Sequence, residues 1–105
     1  MSGYVLHPDA FADLDEIREY IALNGPDAAD RVIDEIFERL RSLVAFLHSG
    51  HLRPDLTSRP VRFTVVREYL IAYTPDEKPL WVLAVQHGRR NPRILACILR
   101  GRAGL

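Results

Sequence analysis

The chain has 105 residues, 48% of them hydrophobic and 27% charged, and its formal net charge is zero. This length and balance are typical of one soluble domain over residues 1–105, and the uncharged runs are too short to cross a membrane. The first residues lack the basic and apolar regions of a signal peptide, and the lone Cys97 has no partner for an internal disulfide, so we expect a reduced cytoplasmic setting.

The first half of the chain has the pattern of one short strand followed by two helices. Tyr4–His7 is apolar and ends at a proline, as strands that run into a turn often do. Asp9 is a predicted N-cap for a helix over Ala10–Leu23, which an Asn-Gly pair closes. A second helix is predicted over Pro26–Leu47, with its proline at the first position. Because about two residues join them, we expect the helices to form an antiparallel hairpin.

The spacing of apolar residues predicts which side of each helix faces the core. On the first helix the predicted buried residues are Phe11, Leu14, Ile17 and Ile21. The carboxylates of Asp13, Glu16 and Glu19 fall off that face, so we expect them to be solvated. On the second helix the predicted apolar stripe contains Ala29, Val32, Ile33, Ile36, Phe37, Leu40, Leu43, Val44 and Leu47.

The second half of the chain changes to the two-residue period of β-strands. A predicted meander consists of the strands Val61–Val66, Tyr69–Thr74 and Leu80–His87. His48–Pro60 contains a glycine and two prolines and is predicted to be a loop. Ile94–Arg100 fits either a short helix or a fourth pairing strand. We expect Trp81 and Cys97 to be buried within these segments.

The helix hairpin and the sheet each present an apolar surface that must be covered. The simplest arrangement packs one against the other. We therefore predict the α+β class, with an N-terminal antiparallel helix hairpin packed in two layers on a small, mainly antiparallel β-sheet. No repeat or low-complexity segment interrupts this plan.

The zero net charge hides an asymmetry between the two halves of the chain. Residues 1–48 carry a formal charge of −6 and residues 49–105 a charge of +6. The basic residues of the second half are nearly all arginines, which bind carboxylates and phosphates bidentately. This pattern indicates an anionic partner, either a nucleic acid or an acidic protein segment. A plain nucleic-acid-binding module is less favoured, because the aromatic residues fall in strand patterns instead of exposed stacking positions: Phe63, Tyr69, Tyr73 and Trp81.

The stretch Leu80–Arg93 (LWVLAVQHGRRNPR) joins a predicted buried strand to a polar turn. Its apolar half is typical of a strand that is buried on both faces. The turn that follows carries His87 and three arginines, and a rigid strand end is a common mount for functional side chains. Imidazole exchanges a proton near neutral pH, so His87 could serve as an acid or a base. The alternative is a solvated turn whose charges serve solubility.

Several short motifs follow one another in the order of these elements. They are ADLDEIREYI and AADRVIDEIFERL in the helices, G-H-x-R-P-D-L before the sheet, and V-R-F, Y-L-I-A-Y and V-x-x-V-x-H-G-R-R in the strands. Over roughly Tyr4 to Leu99, the sequence resembles the ParE/RelE superfamily of toxins from bacterial type II toxin–antitoxin systems. The resemblance implies a small cytoplasmic toxin without a metal or organic cofactor. It also implies a cognate antitoxin that wraps the toxin surface in a hetero-oligomer.

The superfamily divides into two functional groups, and two positions bear on the choice between them. RelE-like members are ribosome-dependent endoribonucleases that cut mRNA, whereas ParE-like members act on DNA gyrase and block replication. RelE-like toxins carry a catalytic arginine where this sequence has Leu70 and a catalytic tyrosine where it has Leu95. The resemblance is therefore closer to the ParE-like members. Substitution of Leu70 or Leu95 is then expected to leave a folded, active inhibitor.

A ribonuclease is the alternative, because some ribonucleases of the superfamily use a glutamate, an arginine and a histidine. Arg62 and His87 match the arginine and the histidine of that set, with Arg89 or Arg90 on the phosphate. Glu68 falls in the turn between two strands, and we expect it at the wrong end of its strand for this chemistry.

A gyrase inhibitor needs a binding surface and no catalytic centre. The basic terminal segment Ile94–Leu105 is expected to be mobile and to form part of that surface. Arg62 alternates with buried residues of its strand, and we expect it to contact an acidic antitoxin segment. The predicted partner-binding residues are Arg62, His87, Arg89, Arg90, Arg93, Arg100 and Arg102.

Overall fold

The computed structural model describes residues 3–102. In chain order the elements are β1 (Tyr4–Leu6), α1 (Pro8–Ala22), α2 (Pro26–Ala45), β2 (His51–Leu52), β3 (Arg62–Val66), β4 (Tyr69–Thr74), β5 (Leu80–His87) and α3 (Pro92–Arg102). The predicted α+β class, with a helix hairpin on a mainly antiparallel sheet, is confirmed. β2 lies within the segment predicted to be a loop. The terminal segment takes the helical alternative, and the last three residues of the stretch predicted to be mobile lie outside the described part of the chain.

The five strands form one sheet in the order β1-β5-β4-β3-β2. β1 runs parallel to β5, and all other neighbouring strands are antiparallel. Because β1 pairs only with Leu80–Val82, the later part of β5 has no strand beside it on that edge within residues 3–102. Tyr69 at the start of β4 lies opposite His87 at the end of β5. Arg62, at the start of β3, lies opposite Tyr73, toward the other end of the sheet.

One face of the sheet is covered by α1 and α2. Helix α2 contributes the broad apolar stripe that its sequence predicts, and its most deeply buried residues are Ile36, Leu40 and Leu43. They pack in one cluster with side chains from the sheet: Val66, Tyr69, Ile71, Tyr73, Leu80, Val82 and Val85. Burial of large aliphatic side chains stabilises a fold by about 1.5–3 kcal/mol each, so this cluster is the main core.

Helix α1 begins earlier than predicted and turns a different side toward the core. Its N-cap is His7 in place of Asp9, and the His7 Nδ1 accepts a hydrogen bond of 3.0 Å from the backbone N–H of Asp9. The residues that α1 buries are Ala10, Asp13, Leu14 and Ile17. The prediction that Phe11 is buried was wrong, since 59% of its surface is exposed. The helix is oriented so that Asp13, a residue predicted to be solvated, faces the sheet.

Helix α3 covers the opposite face and adds a third layer to the two predicted ones. Its buried residues Leu95 and Leu99 join a second cluster that contains Leu56, Val61, Phe63, Leu70, Ala72, Leu83 and Ala84. The central strands β4 and β5 are apolar on both faces, so both faces require a cover. Leu70 and Leu95 are therefore core residues, which contradicts the expectation that they can be substituted freely.

Two further residues are less buried than predicted. Cys97 lies on the solvent side of α3, because that helix turns Leu95 and Leu99 toward the sheet, and its thiol is free and exposed. Trp81, near the start of β5, is only partly buried.

The loop before β2 is fixed by a buried tyrosine. The Tyr73 hydroxyl donates a hydrogen bond to the Leu47 carbonyl and accepts one from the Gly50 N–H, both at 2.9 Å. A Cβ atom on Gly50 would lie 2.6 Å from the Tyr73 hydroxyl oxygen and 2.7 Å from the Phe63 carbonyl oxygen. These distances leave no room for a methyl group.

We expect Gly50→Ala to lower the free energy of unfolding by about 1–3 kcal/mol, because the new methyl group displaces a buried hydroxyl and a strand carbonyl. Urea denaturation followed by circular dichroism measures the change. Ser49→Ala is the matched control, since Ser49 is exposed, and a change below about 0.5 kcal/mol is expected there. Equal stabilities of the two variants would contradict the tight contact around Gly50.

Candidate functional site

A cavity of about 300 Å³ lies between α1 and the end of β5, where β1 no longer covers the sheet edge. Glu16 and Tyr20 line it from α1, and Tyr69, His87 and Arg90 line it from the sheet and the turn after β5. We call it the β5-end cavity. Asp13 also lines it, so the cavity brings together two carboxylates, an imidazole, two phenols and a guanidinium.

His87 and Glu68 form a contact at the mouth of this cavity. The Nε2 atom of His87 lies 3.2 Å from the Oε2 atom of Glu68, and the Gly88 N–H donates to the Glu68 carbonyl at 2.7 Å. The prediction that Glu68 lies at the wrong end of its strand was wrong. Antiparallel pairing brings the start of β4 to the end of β5, and Glu68 immediately precedes β4. That rule of pairing is the signal in the sequence that could have placed Glu68 beside His87.

The orientation of the His87 ring is set by its neighbours. Its Nδ1 atom accepts a hydrogen bond of 3.2 Å from the Arg89 backbone N–H. In the neutral ring the proton therefore lies on Nε2, which donates to Glu68. The ring also makes an edge-on contact with Tyr69, with centroids 5.7 Å apart and planes at 79°. Burial raises the pKa of the Tyr69 phenol above its ordinary value, so this phenol stays protonated.

Arg62 is not part of this site. Its pairing partner Tyr73 lies four positions along β4 from Tyr69, a distance of about 13 Å along the strands. The Arg62 guanidinium instead donates to the carbonyls of Gly50 at 2.7 Å and His48 at 3.3 Å. The structure therefore does not bring together the arginine and the histidine of the predicted nuclease set.

Four of the other predicted arginines are exposed on the turn after β5 and on α3. Within residues 3–102, no hydrogen bond or ion pair involves the side chains of Arg89, Arg90, Arg93 or Arg100. Asn91 caps α3 through a hydrogen bond of 2.8 Å from the Arg93 N–H to its Oδ1 atom. This cap starts the helix directly after the turn, so the arginines of both segments are held on rigid backbone.

Arg102 differs from the other arginines, because it is paired in the interior. Its guanidinium donates two hydrogen bonds to the Asp13 carboxylate, at 2.5 and 2.9 Å, and one to the Leu83 carbonyl at 3.0 Å. Asp13 also accepts the Val85 N–H at 3.0 Å. The two side chains are 12% and 6% exposed. The hydrogen bonds to Asp13 raise the pKa of Arg102 further above its ordinary value.

The Asp13–Arg102 pair occupies the edge of β5 that β1 leaves uncovered. Asp13 accepts the Val85 N–H, and Arg102 donates to the Leu83 carbonyl. These side chains therefore make the hydrogen bonds that a neighbouring strand would make with this edge. The expectation that Asp13 is solvated was therefore wrong. Arg102 does not belong to a partner surface, because its guanidinium is hydrogen-bonded to Asp13 and to the Leu83 carbonyl.

Within residues 3–102 the structure contains neither a candidate metal site nor a candidate membrane span. Among residues 3–102, no group of three histidine, cysteine, aspartate or glutamate side chains is placed to hold a metal ion. None of the helices in that range is both long and apolar enough to pass through a membrane.

Comparison with known proteins identifies the family. The family model described as ParE toxin of type II toxin-antitoxin system, parDE, matches residues 4–92. Comparison with curated protein sequences gives no significant match. Among solved structures, the chain is similar to one titled "Chromosomal ParDE TA system from P. aeruginosa", with a TM-score of 0.67, 23% sequence identity, and coverage of 80% of this chain and 92% of the other. The family match spans most of the sequence and the structural match has the same fold, so the chain belongs to the ParE toxin family of type II toxin–antitoxin systems.

Proposed function

We propose that this toxin inhibits DNA gyrase and is neutralised by a cognate antitoxin. We choose gyrase as the target because of Leu70 and Leu95, which occupy the positions where RelE-like ribonucleases have catalytic residues. Both are apolar and buried between α3 and the sheet, at 7% and 4% exposure, so neither position can reach a substrate. An inhibitor that acts by binding another protein requires only a surface.

The turn after β5 is the surface we propose for the gyrase contact. Arg89 and Arg90 are exposed beside the β5-end cavity, and their guanidiniums are unpaired within residues 3–102. Ile94 lies next to them on α3 and leaves 48% of its surface exposed. Arginines that surround an exposed aliphatic side chain are typical of protein-binding surfaces.

An antitoxin partner is supported by the family and by the solved neighbour, whose title names a ParDE toxin–antitoxin system. The charge asymmetry of this chain suggests which kind of segment it binds. Because residues 49–105 carry a formal charge of +6, an acidic antitoxin segment would be attracted to the β-sheet and α3 half of the toxin. The resulting complex would be a hetero-oligomer.

The proposal is tested by a supercoiling assay with purified toxin, DNA gyrase, ATP and relaxed plasmid. We expect loss of supercoiling or accumulation of linear plasmid. Arg89→Glu/Arg90→Glu should weaken inhibition at least tenfold, because two charge reversals at a contact cost several kcal/mol. The control Arg31→Glu/Arg41→Glu makes the same charge change on exposed residues of α2 and should retain inhibition. Toxin that stops bacterial growth but leaves gyrase unaffected would contradict the proposal.

A ribosome-dependent endoribonuclease is the second candidate, and the contact between His87 and Glu68 favours it. A carboxylate that orients an imidazole is a common arrangement for general acid–base catalysis. On this hypothesis, programmed ribosomes incubated with the toxin would show mRNA cleavage, and His87→Gln would abolish it. Cleavage that persists unchanged in His87→Gln would exclude this site as the catalytic centre.

A further inference from the structure

A second concave surface lies between α3 and the loop before β3. Its volume is about 560 Å³. Arg93 and Arg100 form the α3 wall, Arg59 and Ser58 belong to the loop wall, and Ala96 lies between the two arginines of the helix. We call it the arginine groove. The gyrase contact proposed above does not use it.

The geometry of α3 keeps the arginine groove open. Arg93 and Arg100 are seven residues apart, which is close to two helical turns, so both project from the same side of the helix, about 10 Å apart along its axis. Ala96 lies one turn from each on that side, and its methyl group is too short to fill the space between them. The result is a channel with a positive charge near each end of one wall.

The charges of Arg93 and Arg100 are not neutralised within the groove. Their side chains have no hydrogen bond or ion pair in residues 3–102. Among the described residues that line the groove, the one acid is Asp55. It already receives two hydrogen bonds from Arg53, at 2.9 and 2.8 Å. The groove therefore keeps a net positive charge that suits an anion.

The lining also indicates the class of anion. Tight protein contacts usually need an aromatic or large aliphatic anchor, and the helix wall offers only Ala96 between its arginines. Guanidiniums and the Ser58 hydroxyl are groups that bind phosphate. The spacing of Arg93 and Arg100 corresponds to about three base steps of 3.4 Å along one strand of a nucleic acid. None of the described residues in the groove is aromatic, so bases have no surface to stack on.

We propose that the arginine groove binds the phosphate backbone of a nucleic acid, without reading its bases. Contact with about two phosphates gives weak, sequence-independent and salt-dependent binding. The groove shares no lining residue with the β5-end cavity, and its ligand does not depend on gyrase being the target. An experiment without gyrase therefore separates the two proposals.

The test is fluorescence anisotropy of a fluorescein-labelled 20-base-pair duplex titrated with the full-length toxin between 20 and 200 mM NaCl. We expect a plot of log K against log salt with a slope of about −1.8, as for two released phosphate counterions. Arg93→Gln/Arg100→Gln should weaken binding about tenfold at low salt and leave almost no salt dependence. Both residues are exposed, so the variant should fold, and thermal unfolding by circular dichroism checks this.

Two variants and one competitor distinguish the groove from general electrostatic attraction. Arg31→Gln/Arg41→Gln removes the same charge from exposed residues of α2 and should change affinity less than twofold. Arg93→Lys/Arg100→Lys keeps the charge but not the bidentate geometry and should show an intermediate loss. Equal losses in the two glutamine variants, or no salt dependence, would overturn the proposal. Tighter binding of a 20-residue polyglutamate, lost in Arg93→Gln/Arg100→Gln, would also overturn it and would indicate an acidic protein instead.

Discussion

Replacing Asp13 with alanine is expected to lower the free energy of unfolding by about 3 kcal/mol. The substitution leaves the Arg102 guanidinium, which is 12% exposed, with Asp9 at 3.8 Å as its remaining ion pair, and it leaves the Val85 N–H without an acceptor. Removing one partner of a buried ion pair costs about 3–5 kcal/mol. We expect the low end of this range, because Arg102 lies in the last described turn of α3, where its side chain can reach water by local rearrangement.

A double-mutant cycle isolates the contribution of this pair. Arg102→Met replaces the cation with an apolar chain of similar length, so Asp13→Ala/Arg102→Met should be more stable than the sum of the two single changes predicts, by about 1–3 kcal/mol. Urea denaturation measures all four proteins. The control Asp15→Ala removes an exposed carboxylate from the same helix and should change stability by less than about 0.5 kcal/mol. If Asp13→Ala resembled this control, the pair could not be holding the edge of β5.

Replacing Leu95 with alanine is expected to destabilise the protein by about 2–4 kcal/mol. Leu95 is 4% exposed and packs in the second cluster with Leu70, Ala84 and Leu99. These side chains hold α3 on the sheet, so a cavity at Leu95 weakens the whole third layer. The result would appear as a lower urea midpoint. Because α3 would also detach from the sheet more often, its amides should show faster hydrogen exchange.

The matched control is Ile94→Ala on the same helix. Ile94 is 48% exposed, so its truncation should cost well under 1 kcal/mol. The comparison bears directly on function. A loss of toxicity in Leu95→Ala that is recovered by lowering the assay temperature is a loss of stability, whereas a loss in a fully folded protein would indicate a catalytic role at this position. The second outcome would contradict the proposal that the toxin acts by binding.

Much of the fold follows from patterns that span only a few residues. The helix hairpin was predictable because apolar residues recur every three to four positions, and an Asn-Gly pair followed by Pro26 separates the two runs. The strands β3, β4 and β5 were predictable from their β-branched and aromatic residues and from the proline-rich loop before β5. Local propensity and burial agree in these segments, so sequence and structure give the same elements.

The third layer shows where local patterns are insufficient. The sequence predicts that β5 is buried on both faces, which a two-layer arrangement cannot satisfy, because one face would be left open to water. Ile94–Arg100 was the remaining apolar segment, but seven residues of this composition suit a helix or a strand equally well. The sheet decides between them, since its uncovered face requires a helix that turns Leu95 and Leu99 inward.

The sequence by itself determined the helix hairpin, the strands β1, β3, β4 and β5, the family resemblance and the arginine-rich second half of this toxin. Tertiary structure alone decided which side chains meet. Asp13 and Arg102 are 89 residues apart, and Asp13 looked like one more carboxylate on a solvated helix face until α1 was placed against the open edge of β5. His87 and Glu68 are 19 residues apart and are joined by strand register. The helical period shows which residues share one side of a helix, but it does not show which other element packs against that side. Only packing decides this, and packing therefore determines whether a charged side chain is solvated, paired or available to a partner.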